Sequence, residues 1–149
     1  MNTGRSLDIL RILIEVNNKS IAGYEAAIKE TGEADLKALF AQFKNKSQAS
    51  KTALIGEVHK LNKTPMNGAE PVGTSHRAWL DYRGPLTGKD RLAMLNACEY
   101  TEKVAAHAYE EVLESNPKDL TTEQQTMLSG QHALIKGNLE VLKVLQDRP

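Results

Sequence analysis

The sequence predicts an all-α protein built as a four-helix bundle. Apolar residues recur at the helical spacing of about 3.6 residues in four long stretches of the chain. The residues between those stretches are rich in glycine, proline, asparagine and threonine, which end helices. A chain of 149 residues has the length of one domain. We therefore expect a single domain over residues 1–149, with one core.

The first two helices are predicted to form an antiparallel hairpin. The first helix spans about residues 6–30, with Ser6 as a suitable N-cap residue and Gly32 just past its end. The second helix spans about residues 34–61. Because the connection between them is so short, the second helix is expected to fold back along the first.

The last two helices are predicted at about residues 89–114 and 122–147. Thr121 and Gln124 fit a capping box, in which each side chain accepts a hydrogen bond from the backbone of the other. The long connection before the third helix contains proline and glycine, which forbid a continuous helix but leave room for a short one at residues 75–82. Two antiparallel hairpins joined by one long crossover is the topology of ferritin-like bundles.

Four segments of the chain carry a resemblance to a known family: NNKSIAGYEAA, LKALFAQF, SHRAWLDYRGPLTG and CEYTEKVAAHAYEEVL. In order and spacing they resemble the small bacterial four-helix-bundle family with ferritin-like architecture that is known only as a domain of unknown function. The similarity extends from about Leu7 to Leu145. It implies the fold and a bacterial protein, and it supplies no catalytic residues.

Polar residues interrupt the apolar face of each predicted helix near its midpoint. A helix advances about 100° per residue, so the angle of a residue relative to its apolar neighbours indicates whether it faces the core. The inward polar residues are Asn17, Ser47, Ser50, Glu102 and Gln131. If the helix midpoints align, these residues form one polar layer across the bundle. Burial of Glu102 in this layer is expected to raise its pKa.

The polar layer stands where ferritin-like carboxylate proteins hold two metal ions. Those proteins use glutamates from all four helices, with a Glu-x-x-His pair on two of them. Here the pairs read Ser47 with Ser50 and Gln131 with Leu134, so the ligands of a di-metal enzyme are missing. We therefore expect a hydrogen-bonded network, no catalytic residues and no cofactor. The alternative is one iron, manganese or zinc ion in a degenerate site, whose candidate ligands are Glu102, Glu99, Glu25 and His132.

A second candidate site lies on the short crossover helix. His76, Trp79 and Arg83 are spaced so that they share one face of that helix. A helix this short is unstable alone and must dock on something. Its face is expected either to close one end of the bundle or to contact another subunit or a small anion.

Charge and composition exclude several classes of partner. Lys plus Arg and Asp plus Glu number 19 each, and no segment interleaves basic and aromatic residues, so neither nucleic acid nor an anionic membrane is expected. No secretion signal and no apolar run of roughly 18 residues is present, which favours a cytoplasmic location. We expect a non-enzymatic structural or protein-interaction bundle, with an unidentified protein partner or a second copy of itself bound at an exposed helix face.

Overall fold

The computed structural model of the protein describes residues 3–62, 91–115 and 117–147. Within these ranges the chain forms four α-helices and no strand, which confirms the predicted all-α four-helix bundle. The helices are α1 (Thr3–Glu30), α2 (Ala34–Asn62), α3 (Arg91–Ser115) and α4 (Thr122–Gln146), with a short 3-10 helix, Pro117–Asp119, between the last two. The predicted crossover helix, with His76, Trp79 and Arg83, lies outside the described residues.

Helix α1 begins at Thr3, so Ser6 is not its N-cap. The Ser6 side chain is buried inside the first turns of the helix and its hydroxyl donates a hydrogen bond to the backbone oxygen of Asp119. The hydroxyl therefore ties α1 to the 3-10 helix. A short polar side chain suits both roles, and the sequence pattern does not distinguish them.

Contacts between side chains fix the direction of each helix. Tyr24 of α1 stacks on Phe40 of α2 across the short turn, so these helices form an antiparallel hairpin. Helix α1 is also antiparallel to α3, because Asn17 pairs with Tyr109 whereas Tyr24, further along α1, pairs with Glu102, earlier in α3. Helix α2 therefore runs parallel to α3, and its end lies at the opposite end of the bundle from the start of α3.

Helices α3 and α4 form the second antiparallel hairpin. Asn96 near the start of α3 pairs with Gln146 at the end of α4, and Glu110 pairs with His132. Two antiparallel hairpins joined by residues 63–90 is the connectivity that the loop lengths predicted. A relationship to ferritin-like proteins stays a prediction. No helix among the described residues has the length and apolar character needed to cross a membrane.

The core consists of two apolar clusters, one toward each end of the bundle. The first contains Tyr24, Ala26, Ala27, Leu36, Phe40, Phe43, Met94, Leu95, Ala97, Cys98 and Leu142. The second contains Ile9, Leu10, Leu13, Ile14, Leu54, Val58, Tyr109, Val112, Leu120 and Leu128. Burying each large side chain stabilises the fold by about 1.5–3 kcal/mol. Buried polar residues lie between the two clusters on every helix.

Ionic contacts fasten the end of the bundle where α3 begins. The two terminal nitrogens of the Arg91 guanidinium donate to the two carboxylate oxygens of Asp35 at 3.1 and 2.9 Å. Nη1 also donates to Glu33 at 2.9 Å. The hydrogen bond from Arg91 holds the pKa of Asp35 below its ordinary value. Arg91 thus joins the first turn of α3 to the turn between α1 and α2.

The capping box predicted for α4 is present. The Thr121 side chain accepts a hydrogen bond from the backbone of Gln124 at 3.0 Å, and the Gln124 side chain accepts one from the backbone of Thr121 at 3.0 Å. Each bond satisfies a backbone N–H that the helix itself leaves without a partner.

Replacing Thr121 with alanine is expected to destabilise the protein through loss of this cap. We expect Thr121→Ala to lower the free energy of unfolding by about 1 kcal/mol in urea denaturation. The matched control is Thr122→Ala at the exposed first position of the helix, which should change stability by less than about 0.5 kcal/mol. Equal losses in the two variants would show that the cap does not stabilise α4.

Candidate functional site

A chain of hydrogen bonds around Tyr109 joins all four helices. The Asn17 side chain donates to the Tyr109 hydroxyl at 2.9 Å and to the backbone oxygen of Leu13 at 2.8 Å. The Tyr109 hydroxyl donates to Oε1 of Gln131 at 2.6 Å. Nε2 of Gln131 donates in turn to the backbone oxygen of Ser50 at 3.3 Å. We call this set of contacts, which runs from α1 through α3 and α4 to α2, the Tyr109 layer.

A second chain of hydrogen bonds is centred on Glu102 and follows the same route. The Tyr24 hydroxyl of α1 donates to Oε1 of Glu102 on α3. Nδ2 of Asn138 on α4 donates to Oε2 of Glu102 at 3.3 Å. Nζ of Lys46 on α2 donates to Oδ1 of Asn138 at 3.2 Å. We call this the Glu102 layer, and it also spans the four helices.

The two layers are separated by one seven-residue repeat. On three helices the paired members are Asn17 and Tyr24, Tyr109 and Glu102, and Gln131 and Asn138. Seven helical residues advance about 10 Å, so the layers lie at two distinct levels. Because buried polar groups gain stability only when they are paired, each layer favours one alignment of the helices.

The five polar residues predicted to face the core are all buried: Asn17, Ser47, Ser50, Glu102 and Gln131. They do not lie in one layer. Asn17 and Gln131 belong to the Tyr109 layer, which Ser50 joins through its backbone oxygen, whereas Glu102 belongs to the other layer. Ser47 is buried in the same stretch of α2.

Four members of the layers were missed by the sequence reasoning as polar partners. Tyr24 and Tyr109 lie on the predicted apolar arcs, and their hydroxyls were not considered. A buried tyrosine hydroxyl usually finds a hydrogen-bond partner, so that signal was available. Asn138 lies seven residues after Gln131 on the inward arc of α4, which was a second signal. Lys46 gave none, because it is exposed and only its ammonium group reaches Asn138.

The candidate metal ligands are not brought together: they are Glu102, Glu99, Glu25 and His132. Glu25 is exposed, and Glu99 forms a salt bridge with Lys103 at 3.6 Å. Nε2 of His132 lies 2.8 Å from Glu110, and this hydrogen bond lowers the pKa of Glu110. Among the described residues, no three His, Cys, Asp or Glu side chains are grouped to hold a metal ion. As arranged, these residues do not fit one.

Burial controls the electrostatics of the Glu102 layer. It raises the pKa of Glu102 from 4.5 to about 7, against the hydrogen bonds from Tyr24 and Asn138 and the charge of Lys46, which lower it. Burial also raises the pKa of Tyr24 and of Cys98 well above their ordinary values. The Tyr24 hydroxyl therefore stays protonated and the Cys98 thiol is a poor nucleophile. One carboxyl that binds and releases a proton near neutrality is the chemistry that this arrangement offers.

The fold and the two polar layers define a four-helix bundle whose centre is hydrogen-bonded. The chain belongs to the family described as Domain of unknown function (DUF2383), whose model matches residues 5–115. This range holds Asn17, Tyr24, Glu102 and Tyr109, and it ends before the α4 partners of both layers. No curated protein matches the chain.

The stability of the protein is expected to fall as pH rises through neutrality, because of Glu102. Its pKa is about 7 in the folded protein against an ordinary value of 4.5, so the folded state holds the proton more tightly. The stabilising contribution is complete below the lower pKa and is lost as pH rises through the higher one, by roughly 3 kcal/mol. Urea denaturation at intervals from about pH 5 to about pH 8 measures this slope.

Glu102→Gln removes the ionisation at nearly constant size, so this variant should lose most of the pH slope. The control is Glu111→Gln, an exposed position on the same helix, which should keep it. A Glu102→Gln protein with the full wild-type slope would assign the pH dependence to another group.

Proposed function

We propose that this protein is a non-enzymatic structural or protein-interaction module that self-associates through one face of α4. The two hydrogen-bonded layers support a structural use of the buried polar residues, since each connects all four helices. The observation that carries the proposal is an exposed series of apolar and glycine residues along α4.

This series has the alternating spacing of four and three residues that is typical of a coiled-coil seam. Its members are Gly130, Leu134, Gly137, Val141 and Val144, and we call them the α4 seam. Leu134, Val141 and Val144 are 43%, 41% and 51% exposed, which is high for large apolar side chains. Helices that present such a seam bury it against another helix.

The two glycines of the seam support a close contact with another helix. Glycine inside a helix is less favourable than alanine by about 1 kcal/mol. A Cβ atom added at Gly130 or Gly137 would meet nothing within 4 Å, and neither residue has the positive φ that favours glycine. Packing within the described part of the chain therefore does not require glycine at these positions. A close backbone approach by a second molecule would require it.

A second copy of α4 matches this seam in the antiparallel orientation. Leu134 then faces Gly137 of the partner subunit, and Val141 faces Gly130 of the partner subunit. Each large side chain meets a position without one, so the two surfaces interdigitate. The arrangement has twofold symmetry, which is the commonest symmetry of homodimers.

Filling the gap at Gly137 is expected to abolish self-association. Sedimentation equilibrium over about 1 μM to about 1 mM measures it, and the wild-type average mass should rise above the 16.4 kDa of one chain. Gly137→Gln should stay at 16.4 kDa and keep its fold, because its Cβ enters open space. Ser129→Gln, at an exposed position off the seam, is the control and should associate like wild type. A wild-type protein that is monomeric throughout contradicts the proposal.

The alternative function is a metal-binding bundle with a degenerate carboxylate site around Glu102. It is favoured by one observation, a carboxyl group only 1% exposed at the centre of the bundle. Hard divalent ions bind such oxygens. Both oxygens of Glu102 accept hydrogen bonds from protein groups, and the other candidate ligands are paired elsewhere or exposed. An ion would therefore have to displace these partners.

Metal analysis separates the two functions. For protein purified without chelator, we expect well below one equivalent of iron, manganese or zinc by elemental mass spectrometry. A full equivalent that is lost in Glu102→Ala and kept in the surface control Glu111→Ala would establish the alternative. We also propose a cytoplasmic location, which is supported by a single cysteine that cannot form an internal disulfide.

A further inference from the structure

The Glu102 layer extends from the centre of the bundle to its surface, where it ends at the exposed Lys46. We propose that Lys46, Asn138 and Glu102 form a proton-operated clamp between α2 and α4, which is closed while Glu102 is ionised and opens when its carboxyl takes up a proton. The inference does not depend on self-association or on a metal.

The polarity of the hydrogen bonds carries this inference. The Lys46 ammonium can only donate, and an ionised carboxylate can only accept. Asn138 stands between them, so its Oδ1 must face Lys46 and its Nδ2 must face Glu102, as observed at 3.2 and 3.3 Å. The two charged ends therefore fix the orientation of the amide.

A proton on Glu102 makes this arrangement impossible. The Tyr24 hydroxyl already donates to Oε1, so the new O–H bond forms at Oε2, with a proton taken from solvent. Oε2 then becomes a donor that faces the Nδ2 donor of Asn138. The amide has to turn its Oδ1 toward Glu102, which leaves Nδ2 toward Lys46. Because an ammonium group cannot accept a hydrogen bond, Lys46 is released.

The groups that face Glu102 from the helices around it are few. They are Tyr24 of α1, Lys46 of α2, Cys98 of its own helix and the neutral Asn138 of α4. Tyr24 and Cys98 stay protonated near neutrality, because burial raises the pKa of each. Lys46 is the cation among the described residues whose charge lowers the pKa of Glu102. With that pKa at about 7, a change in pH around neutrality operates the clamp.

The clamp acts on a sparsely packed part of the bundle. Among the adjacent helix pairs of the described chain, α2 and α4 have the least extensive contact. Their other hydrogen bonds, from Gln131 to the backbone oxygen of Ser50 and from Gln124 to Glu57, do not involve Glu102. Opening of the clamp therefore loosens the region around Lys46 and leaves the rest of the pair joined.

Nuclear magnetic resonance of the isotope-labelled full chain tests the clamp. The Glu102 carboxyl carbon and the Asn138 side-chain amide should shift with one shared midpoint near 7. Relaxation of the Lys46 side chain should report an ordered group above that midpoint and a mobile one below it. Lys46→Met should raise the Glu102 midpoint by roughly half a pH unit. Lys51→Met, a neighbouring cation on the same helix, is the control and should leave it unchanged.

Glu102→Gln imitates the protonated state, because its amide donates at the position of the added proton. In this variant Lys46 should be mobile across the whole pH range. The proposal is overturned if Lys46 keeps the same order above and below the Glu102 midpoint, or if the Asn138 amide does not follow that midpoint. The wild-type titration decides these points even if Glu102→Gln does not fold.

Discussion

The need to pair buried polar groups determines how the four helices of this protein align. The two apolar clusters supply the larger stabilising contribution, but apolar contacts are not directional and tolerate shifted packings. The Tyr109 hydroxyl and the Glu102 carboxyl do not. If one helix slid by a turn of about 5.4 Å, several of their partners would be left buried and unpaired. Each such group costs about 1–3 kcal/mol, so the layers penalise every alignment except the observed one.

Specificity of alignment does not require that both layers be built alike. The Tyr109 layer contains only neutral groups and one backbone oxygen, so its bonds are insensitive to pH near neutrality; burial raises the pKa of Tyr109 to about 12. The Glu102 layer joins a carboxylate to an ammonium group through one amide. The same route through the four helices thus contains one level that is chemically fixed and one level whose charge changes with pH.

Helical periodicity was sufficient to predict the class, the hairpins and the inward direction of Asn17 and Glu102, because these depend on local spacing. It was not sufficient to separate two levels. The height of a residue in the bundle depends on where neighbouring helices begin, and α1 begins at Thr3, earlier than its pattern indicated. The role of Ser6 depends on Asp119, which is distant in sequence. Lys46 reaches the buried layer only through its long side chain, and the periodicity of α2 assigns it to the surface.

The position of Cys98 has a consequence for following this protein in solution. Its thiol is fully buried, one turn from Glu102, and it is the single cysteine of the chain. A thiol in such a place reacts with an alkylating reagent only when the surrounding helices separate. Its rate of modification therefore measures the free energy of that opening at the level of the Glu102 layer. The sequence thus contains its own reporter of internal motion, and no label has to be introduced.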